Sequence, residues 1–298
     1  MRTRIISGAV GVLLLSAILY FHDTIVLPIA VAAIIAVMLF ELIRAVKLEK
    51  NKPILIAAEI CGILMPFIYN NFYYIVHYTP DFDEATGSVI SLPDGSETRG
   101  EMTLLAFAVI LMCAFAIFIT WLKKHKEIKY EQVFFVLAVM VLVPQAMTTM
   151  VRIDRMYPEK QGLFYLVMGL CGAWIADTGA YFSGVALGKH KLCPEISPKK
   201  TVEGLVGGIL TTAIVYAAAF SIHDGFTVKT AVIAFVAGAV CAVIGTVGDL
   251  SASMVKRQIG FKDYGKIMPG HGGLMDRFDS VLFVLPTFYV FLNIMNLF

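Results

Sequence analysis

Between Ser253 and Asp279 the chain reads S-M-V-K-R-Q-I-G-F-K-D-Y-G-K-I-M-P-G-H-G-G-L-M-D-R-F-D. The stretch holds the cations Lys256, Arg257, Lys262, Lys266 and Arg277 and the carboxylates Asp263, Asp276 and Asp279. His271 lies among glycines that include Gly270, Gly272 and Gly273. Cations suit phosphates, carboxylates suit Mg²⁺, and glycines let backbone N–H groups approach an oxyanion. In a chain that is otherwise mostly apolar, this mixture points to phosphate chemistry assisted by a divalent cation.

Other polar groups flank it. Asp249, Ser253 and Lys256 stand at i, i+4 and i+7, so they share a face if the preceding helix runs on through them. Asp276 and Asp279 stand at i and i+3 near the start of the last apolar run. The helix dipole alone favours carboxylates there, but it leaves Arg277 and the glycines unexplained. Upstream, Ser197-Pro198 reads as an N-cap followed by proline at the first helical position. That reading puts Lys199 and Lys200, followed by Thr201, in a first helical turn, where they would make an anion site. As juxtamembrane lysines they would serve equally as topology signals.

Asp177 lies inside an apolar run, Trp174-Ile-Ala-Asp-Thr-Gly-Ala-Tyr-Phe-Ser-Gly184. Ala176, Ala180, Gly184 and Gly188 recur every four residues and form a small-residue face for close helix packing. Asp177 borders that face. It either makes an interhelical hydrogen bond or lines a polar cavity. Glu41 has Arg44 at i+3, an ordinary helix-end pair. Glu59 sits a turn or two inside its span, within snorkelling distance of a surface.

The elements that must position these groups are membrane spans. The 298 residues are 58% hydrophobic and 15% charged, with mean hydropathy +0.79, against about 25% charged residues in soluble domains. Each crossing needs roughly 20 apolar residues. Nine stretches qualify: about 5–21, 24–46, 54–77, 102–122, 131–151, 162–187, 204–222, 230–250 and 277–298. The expected fold is an all-α polytopic membrane protein with about nine transmembrane helices. Alternating the loops from a cytoplasmic N-terminus puts 19 of the 24 Lys and Arg on the inner side, which supports that orientation.

The N-terminal run has no A-x-A-like site after it and reads as an uncleaved first helix. Residues 1–160 then form about five spans without a motif. Residues 161–298 form a catalytic region with cytoplasmic loops 188–203 and 251–276. The outer loop 78–101 reads as a solvated acidic loop. Five cysteines without C-x-x-C spacing read as small buried hydrophobes. The expected location is the cell (plasma) membrane, with the active site facing the cytoplasm, and no nucleic acid is expected as a partner.

One resemblance covers about residues 170–280. The segment Ser253-x-Val255-Lys256-Arg257-x₄-Lys262-Asp263-x-Gly265, continuing to Pro269-Gly-His271-Gly-Gly-x₂-Asp276-Arg277-Phe278-Asp279, resembles the signature of phosphatidate cytidylyltransferases. Ile196-Ser-Pro-Lys-Lys-Thr-x-Glu-Gly204 and Asp177-Thr-Gly-Ala-Tyr181 are similar to that family too. Met268 departs from the Leu, Ile or Phe expected at its position. The resemblance implies that CTP and phosphatidate react at the cytoplasmic face with Mg²⁺, giving CDP-diacylglycerol and pyrophosphate. It implies Asp249 and Asp276 as metal ligands, K⁺ as a second cation accompanying Mg²⁺, and a homodimer in the lipid bilayer; Asp279, on one face with Asp276, is a third candidate ligand by its position.

A phosphate monoester nucleophile is already anionic at neutral pH, so no general base is strictly required. Electrostatic stabilisation and positioning should dominate. Lys199, Lys200, Lys256, Arg257, Lys262 and Arg277 would neutralise the phosphates, and Gly270–Gly273 would supply backbone donors. Ser197, Thr201, Ser253 and Asp177 join them as substrate-binding candidates. His271 would either protonate or only hydrogen-bond. Two other readings use similar parts. A CTP-dependent lipid kinase would transfer a phosphoryl group to an alcohol and so need a base. A lipid-phosphate or anion transporter would set its charges at the midplane on broken helices.

Overall fold

The computed structural model describes residues 2–78, 81–82, 89–91, 96–157, 160–270 and 272–295. Five helices come first: α1 (Arg2–Tyr20), α2 (Val26–Ala45), α3 (Lys52–Tyr78), α4 (Ser96–Lys123) and α5 (Tyr130–Met156). Between α3 and α4, β1 (Asp81–Phe82) pairs antiparallel with β2 (Val89–Ser91). The rest of the expected outer acidic loop (79–80, 83–88 and 92–95) lies outside the described residues. The second half holds α6 (Lys160–Leu187), the hairpin β3 (Lys191–Cys193) and β4 (Ser197–Thr201), α7 (Val202–His223), α8 (Val228–Ile259), α9 (Met275–Phe278) and α10 (Val281–Met295).

Among the described residues, eight helical stretches are long and apolar enough to cross a membrane. A ninth, Ser7–Tyr20 of α1, is apolar but shorter. Large apolar side chains such as Leu104, Phe107, Met112, Phe115 and Leu122 of α4 are exposed. Water would make that costly, but lipid tails make it natural. Pro66, Pro144 and Pro286 sit inside helices, which membrane helices tolerate because neighbours re-satisfy the freed carbonyls.

The chain divides into two compact units. One is Gly8–Glu159. Its core gathers Ile54, Ala58, Cys61 and Met65 of α3 with Ile117 of α4 and Val133, Val136 and Met140 of α5, all fully buried. A Cβ on Gly62 would lie 2.6 Å from Leu39 Cδ1, so glycine lets α2 and α3 meet. At one end, His22 Nδ1 lies 2.7 Å from Asp154 Oδ1, and Arg155 donates to Asn70 Oδ1 (3.3 Å) and to the Thr24 carbonyl (3.0 Å). These bonds tie the α1–α2 turn, α3 and α5 together.

The other unit comprises Lys160–Phe298 with Met1–Ser7. Between apolar helices in lipid, close backbone approach replaces the hydrophobic effect as the adhesive. A Cβ on Gly208 would fall 2.7 Å from the Ala176 carbonyl, and one on Gly204 would fall 2.8 Å from that of Ala180. The small-residue face read from the sequence is therefore where α6 meets α7. Gly248 does the same for α8, its Cβ position lying 2.9 Å from the Asp279 carbonyl. Tyr216 of α7 is fully buried and donates to the Met168 carbonyl of α6 at 2.8 Å.

The segment 197–201 overturns one expectation. It is a strand, not a first helical turn. Ser197 pairs with Cys193, Lys191 pairs with Thr201, and α7 starts only at Val202. The N-cap is Thr201, whose hydroxyl accepts from the Gly204 N–H at 3.1 Å. Ser197, the cap expected from the sequence, is drawn into the hairpin by its partner Lys191–Cys193.

Candidate active site

Helix α8 runs unbroken past Asp249, Ser253 and Lys256 and ends at Ile259. Gly260 then takes a left-handed conformation (φ 82°), which glycine adopts without strain. Its N–H donates to the Arg257 carbonyl, and the Phe261 N–H donates to that of Lys256 at 2.9 Å. This cap stops α8 and turns the chain into the loop that returns to α9. Ser7 Oγ donates to the Pro269 carbonyl of that loop at 3.1 Å, so the start of α1 touches it.

Asp276 braces the loop. Its Oδ1 accepts from Lys256 Nζ at 2.8 Å, and its Oδ2 accepts from the N–H groups of Tyr264 and Gly273, both at 2.9 Å. Gly272 has φ +88°, and a Cβ there would lie 2.9 Å from Asp276 Oδ2. The glycines thus fold the loop around a carboxylate of the protein itself. The Gly273 N–H was expected to meet a substrate oxyanion; it is held by Asp276 instead. His271 lies outside the described residues.

Tyr264 completes the brace. It is 4% exposed, its hydroxyl donates to the Ala252 carbonyl at 3.1 Å, and its ring centroid lies 5.4 Å from Lys256 Nζ. Burial raises the pKa of its phenol, and the nearby Asp276 and Asp279 raise it further, so the hydroxyl stays protonated as a donor. Tyr264 occupies an unspecified position of the signature, and nothing in the sequence marks it.

A second pair of carboxylates faces each other. Asp279 lies near enough to Asp249 for the two carboxylates to interact, while its Oδ1 accepts from the Ser280 N–H at 2.8 Å. Lys200 Nζ is ion-paired to Asp249 Oδ2. Lys200, Asp249 and Arg277 are also the charges that act on Asp177. Asp177 lines a cavity together with Lys199 and Lys200. The cavity measures about 330 Å³ and lies between α6, the hairpin, α7 and α8, with Tyr181, Gly184, Lys199, Lys200 and Thr246 among its walls. Thr246 escaped the sequence reading because a threonine in an apolar span carries no signal of its own.

The remaining candidates are spread around this centre. Ser253 stands between Asp249 and Lys256 on their shared face, half-buried. Ser197 and Thr201 take part in the hairpin ladder, and Thr201 is occupied as the α7 cap. Arg257 and Lys262 are exposed, and among the described residues neither forms an ion pair.

Among the described residues no three His, Cys, Asp or Glu side chains converge in a metal-holding group. Mg²⁺ needs only one or two carboxylates, with water and phosphate oxygens completing its shell. Asp249 and Asp279 suit that demand, because two facing carboxylates repel unless a cation or a proton lies between them. Asp276 has both oxygens engaged, Oδ1 by Lys256 of α8 and Oδ2 by the loop.

Residues 2–295 match the model of the Cytidylyltransferase family. The chain is 32% identical to a protein of Bacillus subtilis (strain 168) named phosphatidate cytidylyltransferase, over 99% of each chain. It is 44% identical to a protein of that name from Staphylococcus saprophyticus over 134 residues, which is 45% of this chain and 51% of that one. A protein of the same name from Staphylococcus aureus (strain COL) is 43% identical over a stretch of the same length. The two Staphylococcus matches span about half the length of those relatives.

Proposed function

Because this chain belongs to the cytidylyltransferase family, we propose that it is a multi-pass membrane enzyme that joins CTP to phosphatidate, forming CDP-diacylglycerol and releasing pyrophosphate. One observation carries the reading beyond the family: Asp177, Lys199 and Lys200 line an open cavity in a membrane-embedded unit, and Lys200 is ion-paired there to Asp249.

The reaction brings a phosphate monoester against the α-phosphorus of a triphosphate. Two anions must meet, and charge must leave with pyrophosphate. Lys200 and Arg277 would neutralise phosphate oxygens as they enter the cavity, and Lys199 would extend the positive rim. Asp249 and Asp279 would hold Mg²⁺, whose chemistry is to screen phosphate oxygens and polarise them; K⁺ is the proposed second cation. Lys256, held by Asp276, stays near these groups with its charge partly balanced. Lys200 is bound to Asp249, so an incoming phosphate and cation would exchange partners with that pair. The acyl chains would remain in the bilayer.

The active face would be cytoplasmic, in the plasma membrane, and the functional unit a homodimer. Family membership favours nucleotidyl transfer over phosphoryl transfer or transport. The test is to incubate purified protein with Mg²⁺, phosphatidate and each nucleoside triphosphate. Pyrophosphate and a liponucleotide with CTP support the reading. CDP as product would point to a lipid kinase, and no product of either kind to a non-enzymatic role.

A further inference from the structure

The hairpin carrying Lys199 and Lys200 is fastened at its root by a residue with no role so far. Both oxygens of the Glu203 carboxylate accept from the His190 N–H at 3.2 Å, and Oε1 lies 2.6 Å from His190 Nδ1. Beside it, the Val202 N–H donates to the His190 carbonyl at 2.9 Å, and Thr201 caps α7. A Cβ on Gly188 would lie 3.0 Å from Thr201 Oγ1, so the link from α6 packs against the same cap.

A carboxylate in the first turn of α7 complements the helix dipole. That accounts for its charge but not for its reach across the root to His190. The His190 side chain is 77% exposed and that of Glu203 24%. The ring contribution is therefore screened by solvent, and the His190 backbone N–H carries the contact. Lys200, one residue before the cap, reaches Asp249 on α8 from this root.

We propose that Glu203 is a positioning residue: it clasps His190 and thereby fixes Lys199 and Lys200 over the cavity. The proposal rests on reading that cavity as the place where substrate phosphates bind. Misplacing a charged group by about 1 Å can cost up to 10²-fold in rate, and a loosened hairpin spreads both lysines over such distances.

Three variants separate the clasp from the helix dipole. Glu203→Asp keeps the charge at the start of α7 but withdraws it by one methylene. Glu203→Gln keeps the reach and an accepting oxygen without the charge. Glu203→Ala removes both. In detergent–lipid micelles, Glu203→Asp and Glu203→Ala are expected to raise KM for CTP and phosphatidate about tenfold with kcat within about threefold. Glu203→Gln should stay within about threefold of wild type in KM. Hydrogen exchange at Lys199–Thr201 needs no turnover and should quicken in Glu203→Asp but not in Glu203→Gln. Wild-type KM and exchange in Glu203→Asp would overturn the proposal, as would a lowered melting temperature with both unchanged. A wild-type protein that makes no liponucleotide would refute the proposed function alone, leaving the exchange measurement to decide the clasp.

Discussion

Lys256 and Asp276 are separated by 20 residues and meet at 2.8 Å, their side chains 11% and 3% exposed. Asp276 also receives two backbone N–H groups, so one carboxylate holds the end of α8, the loop and α9 together. Removing the charge from one side of a buried pair costs about 3–5 kcal/mol. Asp276→Asn should therefore lower the melting temperature by several degrees as well as reduce turnover. Thermal unfolding in detergent checks this; an unshifted melting temperature would remove Asp276 from its bracing role.

Asp249 and Asp279 should behave in the opposite way. They face each other, so neutralising either relieves repulsion. Asp249→Asn and Asp279→Asn are expected to keep or raise thermal stability without Mg²⁺, yet lose about 10²–10³ in turnover, the usual scale for one strong electrostatic contributor. Mg²⁺ should raise the wild-type melting temperature and leave both variants unmoved. A normal Mg²⁺ response in Asp279→Asn would take that residue out of the cation site.

Lys200 is ion-paired to Asp249 at the cavity wall. Lys200→Ala should raise KM for CTP or phosphatidate about tenfold or more without unfolding the protein. Lys123, at the end of α4 and outside any motif, provides the control. Equal losses in Lys123→Ala would show that general surface charge is responsible.

Gly272→Ala tests the loop. A left-handed backbone costs a non-glycine residue roughly 1–2 kcal/mol, and the new Cβ would press on Asp276 Oδ2. Turnover should fall at least tenfold, while Gly225→Ala should be nearly silent in activity. Gly225 is also left-handed, with nothing within 4 Å of its Cβ position, so it controls for backbone strain alone.

The orientation prediction rests on the uneven distribution of Lys and Arg. A reporter fused after Lys200 or Lys262 should be cytoplasmic, and one inserted near Gly95 external. Finding Gly95 inside would reverse the orientation and put the cavity on the wrong side for CTP.

What the sequence determined by itself is the part governed by local composition and by helical spacing. Apolar runs of about 20 residues have few alternatives to a membrane helix, so the spans were legible without tertiary information. The i, i+4, i+7 alignment of Asp249, Ser253 and Lys256 required only that α8 continue, and no residue within 249–256 breaks a helix. The small-residue face of α6 was legible for the same reason. Those residues can pack only against a close neighbour, although which neighbour was open until α7 occupied the place.

The tertiary structure decided whatever depended on a distant partner. Ser197-Pro198 fits a helix start and an extended strand equally well, and the choice fell to Lys191–Cys193, which no local preference announces. The carboxylates Asp249, Asp276 and Asp279 look alike in sequence. Asp276 is held by Lys256, Tyr264 and Gly273, while Asp279 faces Asp249 across a helix contact that Gly248 permits. Tyr264 and Glu203 act through hydrogen bonds to backbone groups, which every residue possesses, so the sequence carries no trace of which backbone they meet. Spacing along one helix is fixed by its pitch. Contact between segments is fixed by how closely their backbones approach, and that is a property of the fold.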